Sequence, residues 1–546
     1  MAKKQPTKYI FVTGGVISGI GKGVATSSIA RILKDKGYRV SCMKADMYIN
    51  LDAGTMRPTV HGEVFVTTDG METDQDVGNY ERFLDEPLDS RHYTTTGQVY
   101  QTVIQKERNL EYDGICVEVV PHIPEEFIRR VKAGAKDKSS EIFVIEIGGT
   151  TGEYQQALFL EAIRMMALQE GSENIINIHV AYLPIPQHLG EMKSKPVQHS
   201  VRMLNGAGIQ PDFIVARSEE YIDEERRKKI SIFCNVSPDS VIAAPNVKSI
   251  YSVPLVYEKQ KFGDKLLKRM GLKAKKKDGK EWQALVKRIE SAKKEVKIGI
   301  VGKYFDVGNF TLEDSYISVI ESLKHAAWAN GVKPKLDWIN SKEFEKDPKA
   351  LERLKEYDGI LVPGGFGSSG IEGKIKVIEF VREHKIPYFG LCYGMQLAVI
   401  EFTRNVLGLK DAHTTEVNPK TKNPVIHIMA EQVEKVAKKD LGGTMRLGSY
   451  PCVLVPGLKV ASAYGTRKIS ERHRHRYEYN NEYRKQLEDA GLKVAGLYPE
   501  KDLVEIVELE GHPWFVGTQF HPEFQSSPLN PHPLFKDFIA AALKNK

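Results

Sequence analysis

The fold class follows from residues 9–23, which read Tyr9-Ile10-Phe11-Val12-Thr13-Gly14-Gly15-Val16-Ile17-Ser18-Gly19-Ile20-Gly21-Lys22-Gly23. The apolar, β-branched run predicts a buried strand, and the glycine-rich turn after it leads into a predicted helix that contains the lysine. Backbone N–H groups of such a turn point inward, while the helix N-terminus and the lysine add positive potential. This stretch therefore predicts an α/β domain that binds phosphates.

The turn differs from a strict Walker A motif. That motif has Ser or Thr directly after the lysine, whereas Gly23 follows it here, and the spacing between the glycines is one residue too long. Because the usual hydroxyl ligand is missing, carboxylates must supply the protein ligands of a magnesium ion. Asp74 and Asp76 are candidates, and Glu146 is another because it ends an apolar strand-like run.

The second half of the chain opens in a similar way, with an apolar run at residues 296–301 before a glycine. Between the halves, residues 273–280 are polar and rich in lysine but have no interleaved aromatic residues, which predicts a solvated connector and not a nucleic-acid-binding tail. We expect domains at residues 1–272 and 296–546, joined by a linker at residues 273–295.

Within each half, β-branched runs alternate with helical patterns, which predicts parallel sheets in α/β domains. In the first half, the predicted strands include residues 141–147 and 213–216, and a predicted helix covers residues 157–169. In the second half, the predicted strands include residues 359–362 and 386–389, and a predicted helix covers residues 395–404.

A candidate nucleophile stands in Gly390-Leu391-Cys392-Tyr393-Gly394, between a predicted strand and a predicted helix. Glycines on both sides permit a strained elbow that exposes the cysteine, and the helix N-terminus favours the thiolate. Far downstream, His521 is suited to take the proton from Cys392, and Glu523 to orient the imidazole. Upstream, the backbone N–H groups of residues 363–367, with that of Tyr393, predict an oxyanion hole. The set predicts a thiol-dependent hydrolase.

Two further basic segments are less decisive. Residues 193–200 read Lys193-Ser194-Lys195-Pro196-Val197-Gln198-His199-Ser200, and both a second polyphosphate site and a solvated turn fit this pattern. Residues 472–476 alternate arginine with histidine, and because the arginines would repel a metal ion, this pattern predicts contacts to anions or substrate in place of a zinc site.

Composition excludes several classes of protein. The 546 residues are 41% apolar and 27% charged, which is typical of globular domains, and the net charge of +7 is too dilute to predict a nucleic-acid groove. Five cysteines without zinc or redox spacing indicate a reducing compartment. Neither a signal peptide nor a membrane-spanning run is evident. We therefore expect a cytoplasmic protein.

These motifs together resemble the CTP synthase family over essentially the whole chain. The stretches that carry the resemblance are residues 9–23, 44–82, 146–150, 193–201, 209–212, 362–367, 390–396, 442–448, 471–477 and 519–524. The resemblance implies a P-loop, dethiobiotin-synthetase-like N-terminal amidoligase domain and a C-terminal class I glutamine amidotransferase domain. In the implied reaction, ATP phosphorylates the 4-oxygen of UTP, and ammonia from glutamine travels through a tunnel and displaces that phosphate to give CTP.

The resemblance also implies residue roles. The implied glutaminase triad is Cys392, His521 and Glu523, and the implied ligands of Mg²⁺ are Asp76 and Glu146. The implied ATP-binding residues are Gly19, Ile20, Gly21, Lys22, Gly23, Val24, Lys44, Asp76, Arg217 and Val247. The implied UTP- or CTP-binding residues are Ser18, His61, Glu153, Lys193, Ser194, Lys195, Gln198 and Lys229, of which His61 gates ammonia. The implied glutamine-binding residues are Gly365, Tyr393, Gly394, Gln396, Glu416 and Arg476.

The sequence departs from the family pattern at three places, two of which concern regulation by nucleotides. Ser369 stands where the family has an arginine linked to allosteric activation by GTP, which predicts weakened or altered activation. Residues 152–156 and 183–188 also differ, and because the first segment contributes to cytidine recognition in the family, CTP feedback inhibition is predicted to be altered. The resemblance further implies a homotetramer formed from dimers, and filaments.

Two rival functions remain at this point. A cobyrinic-acid-type amidotransferase also pairs a P-loop synthetase with a cysteine glutaminase, although residues 193–200 and His61 favour a nucleoside triphosphate as the acceptor. A regulatory or filament-forming scaffold without turnover is the second rival, and the intact triad and carboxylates argue against it.

Overall fold

The computed structural model describes residues 6–276, 279–302, 313–365, 367, 369–438 and 442–545. The strands are β1 (Lys8–Gly15), β2 (Val40–Asp46), β3 (Val64–Val66), β4 (Glu72–Asp74), β5 (Tyr93–Thr95), β6 (Ile142–Ile147), β7 (Ile175–Tyr182), β8 (Phe213–Ser218), β9 (Val241–Pro245), β10 (Glu295–Gly302), β11 (Lys333–Asn340), β12 (Gly359–Val362), β13 (Tyr388–Leu391), β14 (His413–Thr414), β15 (Pro424–Ile428), β16 (Arg446–Leu454), β17 (Lys468–His475), β18 (Tyr477–Tyr479), β19 (Leu492–Tyr498), β20 (Leu503–Leu509) and β21 (Phe515–Thr518).

The helices are α1 (Lys22–Asp35), α2 (Pro58–His61), α3 (Gln75–Leu84), α4 (Thr96–Arg108), α5 (Val119–Asp137), α6 (Ala157–Glu170), α7 (Lys195–Gly206), α8 (Glu224–Cys234), α9 (Val253–Lys259), α10 (Phe262–Arg269), α11 (Lys280–Ser291), α12 (Ile317–Ala329), α13 (Lys342–Lys346), α14 (Ile371–Glu383), α15 (Tyr393–Asn405), α16 (Ala430–Ala437), α17 (Lys459–Tyr464), α18 (Arg484–Asp489) and α19 (Pro533–Lys544). Within the described residues, no helix combines the length and the apolar character that a membrane crossing requires.

The chain folds as two compact units. The first contains Met1–Asp52 and Asp76–Val286, and the second contains Ala53–Gln75 and Lys287–Lys546. The segment at residues 53–75 thus packs with the second unit although it precedes most of the first in sequence. The predicted linker at residues 273–295 contains helix α11.

The first unit is built on a seven-stranded parallel sheet with the order β5-β2-β6-β1-β7-β8-β9. Strand β6 is buried along its whole length, which explains the run of four apolar residues before Glu146. Phe143 and Ile145 of this strand belong to a core shared with Phe127 of α5 and Phe159 of α6. The carboxyl ends of β1, β2 and β6 form the edge at which a ligand site is expected.

The second unit has a nine-stranded mixed sheet with the order β11-β10-β12-β13-β21-β20-β19-β16-β17. The pairs from β11 to β21 are parallel, and those from β21 to β17 are antiparallel. Large apolar cores cover the sheet. The predicted α/β fold of both halves is confirmed.

Candidate active site

The predicted phosphate loop joins β1 to α1. Gly19 and Gly21 have φ angles of 70° and 86°, which side-chain-bearing residues disfavour, so both positions need glycine. Lys22 begins α1, and its Nζ donates to Gly149 O at 2.5 Å. Burial lowers the pKa of Lys22, while nearby carboxylates oppose this effect. A lysine at the start of a helix and at the carboxyl end of a parallel strand is suited to a phosphate group.

Asp76 occupies the space that a Walker A hydroxyl would fill. A Cβ atom on Gly23 would lie 1.9 Å from Asp76 Oδ1, so neither Ser nor Thr fits at this position without displacing the carboxylate. The glycine at position 23 and the carboxylate of Asp76 therefore have one physical explanation, because the carboxylate takes the place of the Ser or Thr hydroxyl of a Walker A motif.

Three carboxylates surround Lys44 at the carboxyl ends of β2 and β6. Lys44 Nζ lies 2.5 Å from Asp76 Oδ2, 2.8 Å from Glu146 Oε1 and 3.9 Å from Asp46 Oδ1. Burial raises the pKa of Asp46 to about 6 and also raises that of Glu146. Burial acts in the same direction on Asp76, but Lys44 outweighs it and the pKa of Asp76 is lowered.

This carboxylate cluster fits a divalent cation. Asp46, Asp76 and Glu146 supply more carboxylates than Lys44 can pair, and the pKa values of Asp46 and Glu146 are raised first by burial and then by repulsion from Asp76. Carboxylate oxygens beside a phosphate loop are the donors that magnesium prefers. Of the three carboxylates that the sequence offered, Asp76 and Glu146 belong to this cluster, whereas Asp74 lies beside His61 in the second unit. Asp46 was not predicted, although it stands at the end of β2.

A cavity of about 170 Å³ lies beside the phosphate loop. Arg217 is held at its edge because its guanidinium donates to Ala244 O at 2.8 Å and to Asn246 Oδ1 at 3.0 Å. Residues that line the cavity include Gly21, Val24, Ala25, Arg217, Val247 and Tyr257. The structure therefore brings four residues predicted for ATP to one cavity.

Four of the eight residues predicted for UTP and CTP belong to α7, its N-cap or α8. Ser194 and Gln198 are buried and are joined by a hydrogen bond of 3.1 Å from Gln198 Nε2 to Ser194 Oγ. Lys195 begins α7, and its Nζ lies 5.8 Å from the centroid of the Phe233 ring. Lys229 is exposed on α8.

The other predicted acceptor residues occupy separate elements. Ser18 is exposed in the phosphate loop, and Lys193 pairs with Glu191 at 3.1 Å. Glu153 Oε1 accepts a hydrogen bond from Thr150 N at 3.1 Å in the loop after β6. His61 belongs to the second unit, where its Nδ1 lies 3.6 Å from Asp74 Oδ2.

Cys392 sits in a tight elbow between β13 and α15. Its φ of 48° and ψ of −97° are strained for a residue with a side chain. The flanking glycines are required by space, since a Cβ on Gly394 would lie 2.2 Å from Val362 O and one on Gly390 would lie 2.8 Å from the carbonyl carbon of Gly394. Cys392 N also donates to Thr518 O at 2.6 Å, which ties the elbow to β21.

His521 and Glu523 follow β21 and meet the elbow. His521 Nδ1 lies 2.7 Å from Glu523 Oε1. A Cβ on Gly364 would lie 2.9 Å from His521 Cε1 and 3.7 Å from Cys392 Cβ, so the three residues converge. Burial alone lowers the pKa of His521, but Glu523 and the Cys392 sulfur outweigh it and raise the value to about 10. A protonated imidazole is the partner that a thiolate nucleophile needs.

A cavity of about 460 Å³ opens in front of the elbow. The predicted residues that line it are Gly365, Cys392, Tyr393, Gln396, Glu416, Arg476, His521 and Glu523. Glu416 Oε1 accepts a hydrogen bond from Gly367 N at 2.9 Å, and Tyr393 Oη donates to Gly367 O at 3.0 Å. Phe366, in the predicted oxyanion segment, lies outside the described residues.

Residues 53–75 form part of the same cavity wall, which sequence reasoning missed. Gly54, Pro58, Glu63 and Val64 line the cavity. Two arginines of β17, from the alternating arginine–histidine run, hold residues 53–75 in place. Their contacts are Arg472 Nη1 to Val66 O at 3.0 Å and Arg474 Nε to Glu72 Oε1 at 2.8 Å.

A phosphate-loop unit with a carboxylate cluster, followed by a cysteine–histidine–glutamate unit, defines a glutamine-dependent amidotransferase coupled to a nucleotide-using synthetase. Comparison with known families agrees: the model described as "CTP synthase N-terminus" matches residues 8–272, and the model described as "Glutamine amidotransferase class-I" matches residues 311–541. A CTP synthase of Caldanaerobacter subterraneus is 51% identical over 99% of this chain and 99% of its own length. The chain belongs to the CTP synthase family.

Two further relatives are similar. A CTP synthase of Clostridium acetobutylicum is 52% identical over 98% of each chain. The solved glutaminase domain of Trypanosoma brucei CTPS, with bound acivicin, aligns with 46% of this chain and 94% of its own at 37% identity, with a TM-score of 0.42. The full-length matches confirm the family resemblance and favour it over the corrinoid amidotransferase.

Proposed function

We propose that this chain makes CTP from UTP, with ATP as the activating substrate and glutamine as the source of ammonia, in pyrimidine nucleotide biosynthesis. Full-length membership in the CTP synthase family carries the proposal. The two sites support it chemically, because a phosphate loop and a thiol glutaminase in one chain are the two parts that the reaction needs.

In the glutaminase reaction, the Cys392 thiolate attacks the carboxamide carbon of glutamine. His521 gives its proton to the leaving ammonia, and then takes a proton from the water that hydrolyses the thioester to glutamate. Glu523 holds the imidazole through its 2.7 Å contact to Nδ1. Backbone N–H groups around Gly364, with that of Tyr393, stabilise the oxyanion.

In the synthetase reaction, Lys22 and the loop backbone bind the phosphates of ATP, and Arg217 lies at the adenine cavity. The 4-oxygen of UTP attacks the γ-phosphorus and ADP leaves; ammonia then displaces phosphate at carbon 4 to give CTP. Asp76 and Glu146, with Asp46 beside them, would hold a magnesium ion, which supplies neutralisation of phosphate charge. Residues of α7 and α8 bind the acceptor nucleotide.

Ultraviolet absorbance during conversion of UTP to CTP tests the proposal. Purified protein with ATP, magnesium and UTP should form CTP with either glutamine or ammonium chloride. A corrinoid enzyme would give no signal, and an inactive scaffold would give none with either nitrogen source. Failure to aminate UTP even with abundant ammonium would refute the proposal.

Nucleotide regulation is a finer part of the proposal. Ser369 supports a weakened response to the activator GTP, and residues 152–156 support altered inhibition by CTP. Ser369→Arg should increase GTP stimulation of glutamine-driven synthesis without changing ammonium-driven synthesis. A full GTP response in the unaltered protein would contradict the first expectation, and CTP titration of the same assay tests the second.

Assembly and location complete the proposal. The family resemblance supports a homotetramer formed on nucleotide binding, and filaments, and light scattering with and without ATP and UTP would measure the change in mass. The five cysteines are unpaired, which supports a reducing, cytoplasmic setting.

A further inference from the structure

Gln519 is a polar side chain buried against the nucleophile, and the triad does not account for it. It follows β21 directly and has no exposed surface. Its backbone N–H donates to Glu505 O at 2.8 Å, which fixes the main chain. Its side-chain amide lies between Gln396 and the Cys392 sulfur.

The hydrogen bonds fix which end of this amide faces the sulfur. Tyr477 O can act as an acceptor alone, so the group 2.9 Å from it must be the NH₂ group of Gln396. That same NH₂ group lies 3.2 Å from Gln519, which therefore presents its carbonyl oxygen to it. The NH₂ end of Gln519 consequently points to Cys392 Sγ, 3.6 Å away. The Gln396 NH₂ group thus donates to both Tyr477 O and Gln519 Oε1, and the Gln519 NH₂ group donates to the sulfur.

We propose that Gln519 is a further catalytic residue of the glutaminase reaction, which stabilises the Cys392 thiolate through a hydrogen bond from its side-chain amide to the sulfur. This inference rests on the proposed function. A buried donor aimed at an anion is strong because no water competes with it.

The Gln519 N–H group is useful at the two stages of the reaction in which the Cys392 sulfur is anionic. The sulfur is anionic before it attacks glutamine and again when the thioester is hydrolysed, because the thiolate is then the leaving group. A neutral thioester sulfur accepts a hydrogen bond weakly, so the Gln519 N–H favours the two states in which the sulfur carries charge. No bond to Gln519 forms or breaks.

The same amide also positions a predicted glutamine-binding residue. Gln519 Oε1 accepts from Gln396 Nε2 at 3.2 Å, which fixes the position of the Gln396 side-chain amide. Two variants separate the roles. Gln519→Glu is nearly isosteric and keeps an acceptor for Gln396 but places a second acceptor at the sulfur, whereas Gln519→Met removes both polar groups.

The experiment measures the rate at which iodoacetamide alkylates Cys392 in the full-length protein, by peptide mass spectrometry. Cys116 is exposed and serves as the internal reference in each sample. Loss of the donor should slow Cys392 alkylation at neutral pH about tenfold in Gln519→Met, and more in Gln519→Glu. Glutamine-driven CTP formation should fall in parallel, while ammonium-driven formation is retained.

Thr518→Val is the matched control. Thr518 is the neighbouring buried residue, and its hydroxyl donates to Phe520 O at 3.1 Å, away from the sulfur. This variant should alkylate at the unaltered rate. Unchanged Cys392 alkylation in Gln519→Glu would overturn the inference, and so would loss of both activities, because that outcome assigns Gln519 to folding. If the unaltered protein fails to hydrolyse glutamine, it is the proposed function that fails.

Discussion

Two buried histidines, one in each unit, have pKa values that are shifted in opposite directions. His179 of β7 lies beside the phosphate loop, where Nδ1 is 2.9 Å from Thr13 Oγ1 and Nε2 is hydrogen-bonded to Ser200 Oγ. Burial, reinforced by Lys22, lowers the pKa of His179 to about 3. His521 faces a carboxylate and a sulfur, and its pKa is raised to about 10.

The difference shows that neighbours, and not burial alone, decide what a histidine does. The phosphate-loop unit uses lysines as fixed cations, so the neutral His179 joins β1 to α7 without adding a charge that titrates. The glutaminase unit needs a proton that moves, so its histidine faces groups that hold that proton until ammonia leaves. Variants in each unit should therefore affect different reactions.

Cys392→Ala should give the largest difference between glutamine-driven and ammonium-driven CTP formation. Removal of the nucleophile is expected to lower glutamine-driven CTP formation by about 10⁶-fold, as for other catalytic nucleophiles. Ammonium-driven formation should be unchanged, because phosphoryl transfer does not use the sulfur. Absorbance assays with each nitrogen source measure both, and loss of both in a folded variant would mean that the two reactions share a site.

Lys22→Ala should have the converse effect, loss of the synthetase reaction with glutamine hydrolysis retained. Loss of the loop cation should lower CTP formation about 10³-fold with either nitrogen source, because both require activated UTP. Glutamine hydrolysis by itself should survive at some level, which a glutamate assay measures. Lys136→Ala, at an exposed lysine of the same unit, is the control and should leave all three rates unchanged.

The sequence anticipated those parts of the two units that depend on local pattern. The predicted strand at residues 141–147 matches β6 (Ile142–Ile147) within one residue, because a buried parallel strand carries a run of apolar residues, here residues 142–145. The predicted strand at residues 386–389 begins later, as β13 at Tyr388, because Pro387 lacks the N–H group that a ladder needs.

Long-range packing was beyond prediction from local pattern. The placement of residues 53–75 in the second unit depends on contacts such as Glu72 with Arg474, which are 402 residues apart. Gln519 was missed for the same reason, because its side-chain partners Gln396 and Cys392 are 123 and 127 residues away. Asp46 had a local signal, its place at the end of β2, but that signal was not used. By contrast, the glycines around Cys392 were predicted from the local elbow pattern, although the close contact that requires Gly394 is with Val362 O of a neighbouring strand.

His179→Gln should change how the stability of the folded protein depends on pH. Because the folded-state pKa of about 3 is below the ordinary 6.5, the unfolded chain takes up a proton that the folded protein does not, and stability falls as pH decreases from about 6.5 towards 3. The variant lacks this component of about 5 kcal/mol, so its thermal midpoint should fall less over that range. Calorimetry measures the midpoints. His199→Gln, at an exposed histidine of α7, should keep the unaltered slope.

Glu523→Gln tests a pH dependence of stability that is opposite in direction to that of His179. The expected change in stability is smaller, because His521 borders a cavity that solvent can enter. The folded protein holds a proton at a pKa of about 10, against 6.5 for an ordinary histidine, so this stabilisation is complete below about pH 6.5 and is lost as pH rises through 10. Without the carboxylate the proton is held less tightly, and the variant should be less stable by about 1–2 kcal/mol near pH 6, with the gap narrowing towards pH 10. Calorimetric midpoints across this range measure the gap, and Glu482→Gln, at an exposed glutamate of the same unit, should show none. A gap that widened with pH would mean that Glu523 does not hold the proton on His521, and the raised pKa of His521 would then depend on the Cys392 sulfur alone.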